Sequence, residues 1–354
     1  MRRLVVFDAL RFTAVLAVIA IHTTAANADT NLFSFGWNQF ARFAVPLFIL
    51  MSGFLLMGSM QHKTMSVREF YRKRFTKILI PYLIWTVIYT AFSSLGLLKD
   101  GQWLQFFKIT FLNTITGNGF VHLYFLFVIF QLYLLFPFLK SWIVAKPKQA
   151  IIYTFLVTFI VQTAVYAHSI EWIHLPQTGI SYGSYFPTWI FFFVFGMFLA
   201  IHYKTLEQII RKQIHFTIGI WIISFSLLLS EGQQTQTFGL SMKPSVMLYC
   251  VTSYFMFYGL FLNMQKKLEQ HEKRLKKLAD SSFMVFLIHP LLLEVGRYFN
   301  ENYLHLAILE GNFNSVIWFI VVTVLSIGFA LIHYKLKTAS LLPLMIRKPL
   351  TLLG

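Results

Sequence analysis

Arg11 and His22 stand eleven positions apart in a stretch that is otherwise almost wholly apolar. Eleven helical steps of about 100° make three turns plus about 20°, so one helix carries both on one face, about 16 Å apart along its axis. Asp8 lies on the same stripe, within reach of Arg11 at i,i+3. Two chemistries suit this spacing. One is structural: an Arg–Asp pair at one end of a helix and a packed histidine near the other. The second is a polar seam that holds a charged ligand at Arg11 and offers His22 as a general base. An imidazole suits that work because its unperturbed pKa lies near neutrality.

The elements that must position these residues follow from composition. The chain has 354 residues, of which 57% are hydrophobic, 18% aromatic and only 12% charged. A soluble domain carries roughly 45–50% apolar and about 25% charged residues, so there is too little polar surface here to coat a water-soluble globule. A soluble enzyme, a nucleic-acid-binding domain and a disordered chain are excluded. The single cysteine, Cys250, excludes an intramolecular disulfide framework and a cysteine-rich metal site. A bilayer requires about 20 consecutive apolar helical residues. About ten such runs occur, near 5–25, 38–58, 78–98, 120–139, 149–167, 185–201, 214–230, 244–264, 281–299 and 313–334. They lack the alternation of a barrel. The expectation is an all-α, polytopic integral membrane protein of about ten transmembrane helices.

The net charge of +17 sorts by side. Arg2 and Arg3 precede the first run. Lys63, Arg68, Arg72, Lys73, Arg74 and Lys77 follow the second, Lys140, Lys146 and Lys148 the fourth, and Lys204, Arg211 and Lys212 the sixth. Lys266, Lys267, Lys273, Arg274, Lys276 and Lys277 follow the eighth, and Lys335, Lys337, Arg347 and Lys348 the tenth. The opposite loops hold only Lys99, Lys108 and Lys243. The positive-inside rule then places both termini in the cytoplasm and explains the basic balance without a nucleic-acid partner. Met1-Arg2-Arg3 and the apolar run to Ile21 imitate a signal peptide, but Asp8 and Arg11 argue against one. Residues 1–354 are expected to form a single transmembrane domain with no appended soluble module.

Three arginines, Arg11, Arg42 and Arg297, fall inside the runs, where ionisable groups are costly and usually face protein or a wet cavity. Arg297 has Glu294 at i,i+3 as a structural partner, and Arg42 either meets Asp29 or lines an outer cavity mouth. The stretch from Lys266 to Lys277 alternates bases with Leu268 and Leu275 and reads as an interfacial amphipathic helix. There is no metal-ligand spacing, serine nucleophile elbow or phosphate-binding glycine loop.

Five ordered motifs resemble the membrane-bound acyltransferase 3 family. Arg11 followed after ten residues by His22 is similar to its first-helix signature. Arg42-Phe-Ala-Val-Pro46 running into Ser52-Gly53-Phe54 is similar to its second-helix motif, and Arg72-Lys-Arg74 to Lys77 and Pro81-Tyr82 to its basic third-helix motif. His122-Leu-Tyr124, with Gln131-Leu-Tyr133, resembles the fourth-helix motif, and Ser282 through His289-Pro290 the penultimate one. The departures are Lys77 where arginine is usual, Tyr124 where tryptophan is frequent, and Ile129 and Phe130 where peptidoglycan- and lipopolysaccharide-modifying members carry glutamates. The last of these places the resemblance nearest the subgroup with an Arg-Phe-Ala-Val-Pro-type second helix, which includes exopolysaccharide O-acetyl- and O-succinyltransferases, enterobacterial-antigen acyltransferases and the biofilm poly-N-acetylglucosamine membrane protein.

The resemblance implies an O-acyltransferase in a bacterial plasma membrane. It would take acetyl or succinyl from cytoplasmic acyl-coenzyme A and transfer it to a hydroxyl of an envelope or exported glycan, alongside glycan-synthesis machinery. Acyl-coenzyme A is the donor substrate; no bound cofactor and no metal are implied. His22 would be base or acyl carrier. Arg11, Arg72, Arg74 and Lys77 would hold donor phosphates, the last three helped by free N–H groups at the start of the third span, unless their duty is topology alone. His122 would position the acceptor or orient His22, or be structural. Asp8 and Ser52 would support the site, and His289 would shape its helix before Pro290. The rival expectation is a polysaccharide exporter or flippase-like transporter, which would show inverted repeats and broken helices; the sequence displays neither.

Overall fold

The computed structural model describes residues 5–60, 66–306 and 313–338. Arg2, Arg3, Lys63, Arg347 and Lys348 of the charge pattern, and the side chain of Lys337, lie outside what is described. Among the described residues the regular structure is helical throughout: α1 (Val5–Thr24), α2 (Leu32–Phe40), α3 (Ala44–Met60), α4 (Val67–Ser93), α5 (Leu95–Lys99), α6 (Trp103–Thr116), α7 (Tyr124–Ala145), α8 (Pro147–Ser169), α9 (Ile190–Lys212), α10 (Ile214–Thr235), α11 (Pro244–Asn263), α12 (Gln265–Gln270), α13 (Glu272–Phe299) and α14 (Asn314–Thr338). Ten stretches are long and apolar enough to cross a bilayer, in the order the sequence indicates, with α2 and α3 together making the second, Leu32–Met60.

Several boundaries differ from the sequence reading, and three differences have a clear local cause. The third span starts at Val67, not near 78. Ser66 caps α4 by accepting the Glu69 N–H at 3.2 Å, and Glu69 pairs with Lys73 at 2.8 Å. A capping residue followed by an i,i+4 ion pair holds a polar stretch helical that hydropathy alone passes over. The same helix ends at Ser93, and α6 follows as a separate element. Its 14 residues span only about 21 Å, yet they expose Trp103, Leu104, Phe107 and Phe111. Tyr82 of α4 fixes it by donating to the Thr114 carbonyl at 2.6 Å. Finally, Lys266–Lys277 is not one amphipathic helix: α12 ends before His271, and Lys273 to Lys277 open the long α13.

The chain divides into two compact units. The first comprises Pro46–Leu206 with Met242–Met247. In it α4 packs on α6 and α7, and α7 on α8. Helices α3 and α9 approach through glycines. A Cβ on Gly53 would strike the Phe193 carbonyl, and one on Gly196 the Leu50 carbonyl, so side-chain-free positions allow backbone contact. Gln131 of α7 ties down the 182–188 segment, donating to the Ser184 carbonyl at 2.7 Å and accepting from the Phe186 N–H at 3.1 Å.

The second unit comprises the residues up to Val45, Glu207–Ser241 and Leu248 onward. Here α1 packs against both α13 and α14, which also pack on each other. Leu10, Ala14, Val15 and Ile19 of α1 are fully buried. Asn27 donates to Asn314 at 2.6 Å and Ser34 meets Ser315 at 2.9 Å, tying the far end of α1 and the start of α2 to α14. A helix this enclosed is a rigid carrier for whatever side chains it presents.

Candidate active site

Within the second unit the sequence-nominated residues gather at the C-terminal end of α1. His22 lies in the last turn of α1, and the ring of His289, on α13, is 5.1 Å from it between centroids with planes inclined 51°. His289 is fully buried. Its Nδ1 is 2.8 Å from the Phe286 carbonyl and 3.2 Å from that of Val285. Arg297 pairs with Glu294 at 3.9 Å, the i,i+3 partner its spacing indicates.

Arg42 is 5% exposed and held at several points. It occupies a 3-10 turn, residues 41–43, between α2 and α3. Its guanidinium donates to the Gly239 carbonyl at 3.0 Å, to Ser241 Oγ at 2.9 Å and to Asn38 Oδ1. The partners seen to hold it are thus the 239–241 loop and Asn38, where the sequence offered Asp29, which is exposed. Asn38 is itself anchored, donating to the Ile21 carbonyl at 3.1 Å and Thr24 Oγ1 at 2.9 Å. A chain of polar contacts therefore runs from the α1 turn bearing His22 through Asn38 to Arg42 and Ser241. Asn38 and Ser241 were missed in the sequence; an asparagine four residues before an intramembrane arginine was the available sign.

The 3-10 turn has a covalent cause. Pro46 has no N–H, so the carbonyl four residues earlier, that of Arg42, loses its helical donor. The Cys250 thiol of α11 faces that carbonyl at 3.7 Å, and Tyr249 donates to the neighbouring Phe40 carbonyl at 2.7 Å.

Arg11 and Asp8 lie toward the other end of α1. Asp8 is 4% exposed and Arg11 partly buried. The helix keeps Arg11 three turns from His22, as its spacing requires.

The remaining nominated residues belong to the first unit. Arg72, Arg74 and Lys77 are inside α4, not at its start, so the free N–H groups expected beside them are instead at Val67–Phe70. Residues i and i+2 do not share a helix face, so Arg72, which is exposed, diverges from Arg74 and Lys77. Arg74 donates to Ser59 Oγ at 3.4 Å, and Lys140 to the adjacent Met60 carbonyl at 2.9 Å. Lys140 thus joins Arg74 at the end of α3, a placement that its sequence position after the fourth run did not disclose. Ser52 is partly exposed, next to the Gly53 crossing. His122 precedes α7 in a turn and is 2% exposed, its ring edge-on to Tyr89 at 5.1 Å and Phe120 at 6.0 Å. Among the described residues no three His, Cys, Asp or Glu side chains converge as a metal site requires.

Among the described residues, ten stretches long and apolar enough to cross a bilayer define a polytopic membrane protein, whose second unit brings two imidazoles together. The family model described as "Acyltransferase domain" matches residues 4–335. The chain belongs to this acyltransferase 3 family and is a membrane acyltransferase. No curated protein and no solved structure matches it.

Proposed function

We propose that the protein transfers an acetyl group, with succinyl the alternative, from cytoplasmic acyl-coenzyme A to a hydroxyl of an exported or envelope glycan in a bacterial plasma membrane. The observation that carries this reading is the His22–His289 ring pair, with Arg42 tied through Asn38 to the α1 turn that bears His22. His22 takes the proton of the acceptor hydroxyl as its oxygen attacks the thioester carbonyl. The C–S bond then breaks, and the imidazolium returns the proton to the departing coenzyme A thiolate, so no proton is lost or gained. Arg42, always charged, stabilises the oxyanion that forms between these steps. Arg11 binds the phosphate-bearing end of the donor, and the rise of about 16 Å along α1 matches an extended pantetheine arm. Arg74, Lys77 and Lys140 of the first unit attract the anionic donor by charge; Arg72 serves topology. Arg42-Phe-Ala-Val-Pro46, with Ile129 and Phe130, supports the exopolysaccharide subgroup.

The test separates an enzyme from an exporter. His22→Ala lowers glycan acylation by about 10²–10⁴-fold, the usual range for a lost acid–base group, while total surface glycan stays constant. His22→Gln, which keeps hydrogen bonding but not basicity, loses acylation equally. Loss of surface polymer with unchanged acylation per sugar would overturn the reading in favour of export. Both termini are cytoplasmic in this scheme. Reporter fusions after Lys140 and at the C-terminus read inside, and one after Gly179 reads outside; an external C-terminus would break it.

A further inference from the structure

Gln39 and Arg42 both hold one small piece of chain in the connection from α10 to α11. Residues 237–240 form a turn closed on itself, the Leu240 N–H donating to the Thr237 carbonyl at 3.1 Å. Its two central carbonyls are gripped by neighbouring side chains. Gln39 Nε2 donates to the Phe238 oxygen at 3.0 Å, and Arg42 Nη1 to the Gly239 oxygen at 3.0 Å. The Gln39 amide has one orientation here, because exchanging its oxygen and nitrogen would set two oxygens 3.0 Å apart. The second hydrogen of Arg42 Nη1 goes to Ser241 Oγ at 2.9 Å, just past the turn. Both hydrogens of that nitrogen are therefore committed to residues 239–241, while Nη2 is held by Asn38. Gln39 is fully buried and Arg42 nearly so. Gly239 is exposed, and a Cβ on it would meet nothing within 4 Å. The turn thus has buried donors on one side and open space on the other. It joins α10 through Gln236, whose left-handed backbone at φ 55° ends that helix.

We infer that the 237–240 turn is a lid over Arg42 on the side from which the acceptor sugar arrives. Closed, its Phe238 and Gly239 carbonyls occupy the N–H groups of Gln39 and Arg42. Open, it admits the acceptor and frees Arg42 Nη1 for the oxyanion. Asn38 stays behind to hold Nη2, because its own partners, the Ile21 carbonyl and Thr24 Oγ1, belong to α1. This role for the turn rests on the proposed acyl transfer, and on the topology that puts the connection between α10 and α11 outside. A lid that is mostly closed weakens apparent acceptor affinity by the fraction that is open. Loosening it should therefore improve acceptor binding, the reverse of what losing a purely structural bond does.

The first arm needs no activity. Protein in lipid nanodiscs is treated with phenylglyoxal, which adds to accessible guanidinium groups, and the peptide carrying Arg42 is followed by mass spectrometry. The exposed Arg72 is the internal reference. Gln39→Leu removes the bond to Phe238 and should speed Arg42 labelling about two- to twelvefold, the equilibrium factor of one net hydrogen bond. Gly239→Ala, whose methyl enters open space, should label as the wild type does. Equal rates in Gln39→Leu and wild type would overturn the lid. Should Gln39→Leu fail to fold, Ser241→Ala removes another of the ties and the same comparison decides. The second arm follows coenzyme A release from acetyl-coenzyme A, with succinyl-coenzyme A in parallel, and a poly-N-acetylglucosamine oligosaccharide as acceptor. Gln39→Leu should lower the acceptor KM by the factor seen in labelling, with donor KM and kcat near wild type. Faster labelling with an unchanged or raised acceptor KM would also overturn the lid, since the turn would then move without gating. No release by the wild type with either thioester would sink the acyl-transfer reading instead, and the labelling rates would judge the turn by themselves.

Discussion

The two units hold their cations in opposite ways. In the second unit Arg42 is buried, and its guanidinium is shared among a carbonyl, a hydroxyl and a carboxamide, with the asparagine itself tied to the α1 turn that bears His22. In the first unit Arg74 has one contact of 3.4 Å with Ser59, Arg72 is exposed, and Lys140 reaches a single carbonyl. A buried, multiply bonded guanidinium has one geometry, whereas a partly exposed cation on a long stem has many. Proton transfer and oxyanion stabilisation require the first condition, since their effect depends on distances held within a fraction of an ångström. Neutralising a phosphate needs only charge nearby. The difference between the units is therefore one of geometry: a guanidinium fixed at several points in one, loosely held cations in the other.

Conservative exchange is the sharpest way to break that comparison. Arg42→Lys keeps the charge but loses the planar fork that serves Gly239, Ser241 and Asn38 at once. It should lower kcat almost as far as Arg42→Ala, by about 10²-fold, the scale of one lost oxyanion donor. Arg74→Lys should leave turnover and donor KM close to wild type. If lysine serves equally well at both positions, the contrast between a shaped site and a charged surface is wrong. Steady-state kinetics with acetyl-coenzyme A decides it.

A smaller effect is expected from removing charge in the first unit. Arg74→Ala combined with Lys77→Ala should raise the donor KM by about tenfold, two exposed contacts of up to ~1 kcal/mol each, and leave kcat unchanged. Added salt should weaken donor binding in the wild-type protein and have less effect on the double variant. Arg72→Ala should do nothing, because Arg72 projects away from the other two. An unchanged KM in the double variant would return both residues to topology duty alone.

The spans were legible in the sequence because each needs a long apolar run, and few other structures produce one. What was not legible has local causes. The first three turns of α4 are too polar for a hydropathy window, and a cap with an ion pair sustains them. Helix α6 is apolar but too short to register as a span. In the site, Arg11 and His22 were readable because a single helix fixes their relation. The pairing of His22 with His289 depends on how α1 packs on α13, which no local pattern encodes. The same reason explains Arg42: Asp29 was nearer in sequence, but the partners came from the 239–241 loop. What the sequence did carry of His289 was the neighbouring Pro290, and the helix-shaping bond to Phe286 follows from it.

The smallest expected effect concerns the proline gap at Pro46. Pro46 offers the Arg42 carbonyl no N–H, and the Cys250 thiol at 3.7 Å donates weakly to it. Cys250→Ala removes it from a buried place where water does not substitute, so the variant should lose about 0.5–1.5 kcal/mol of stability, a typical net hydrogen-bond value. Cys250→Ser, a stronger donor of similar size, should match or exceed wild type. Neither should change kcat by more than about twofold, because the guanidinium of Arg42 is held by three other groups. Thermal unfolding in detergent measures the stability change and coenzyme A release the turnover. A tenfold fall in kcat for Cys250→Ala would show that the backbone of the 41–43 turn, and not the polar contacts of the side chain, sets the position of Arg42. The division between a tightly bonded centre and a loosely held surface would then rest on the proline gaps alone.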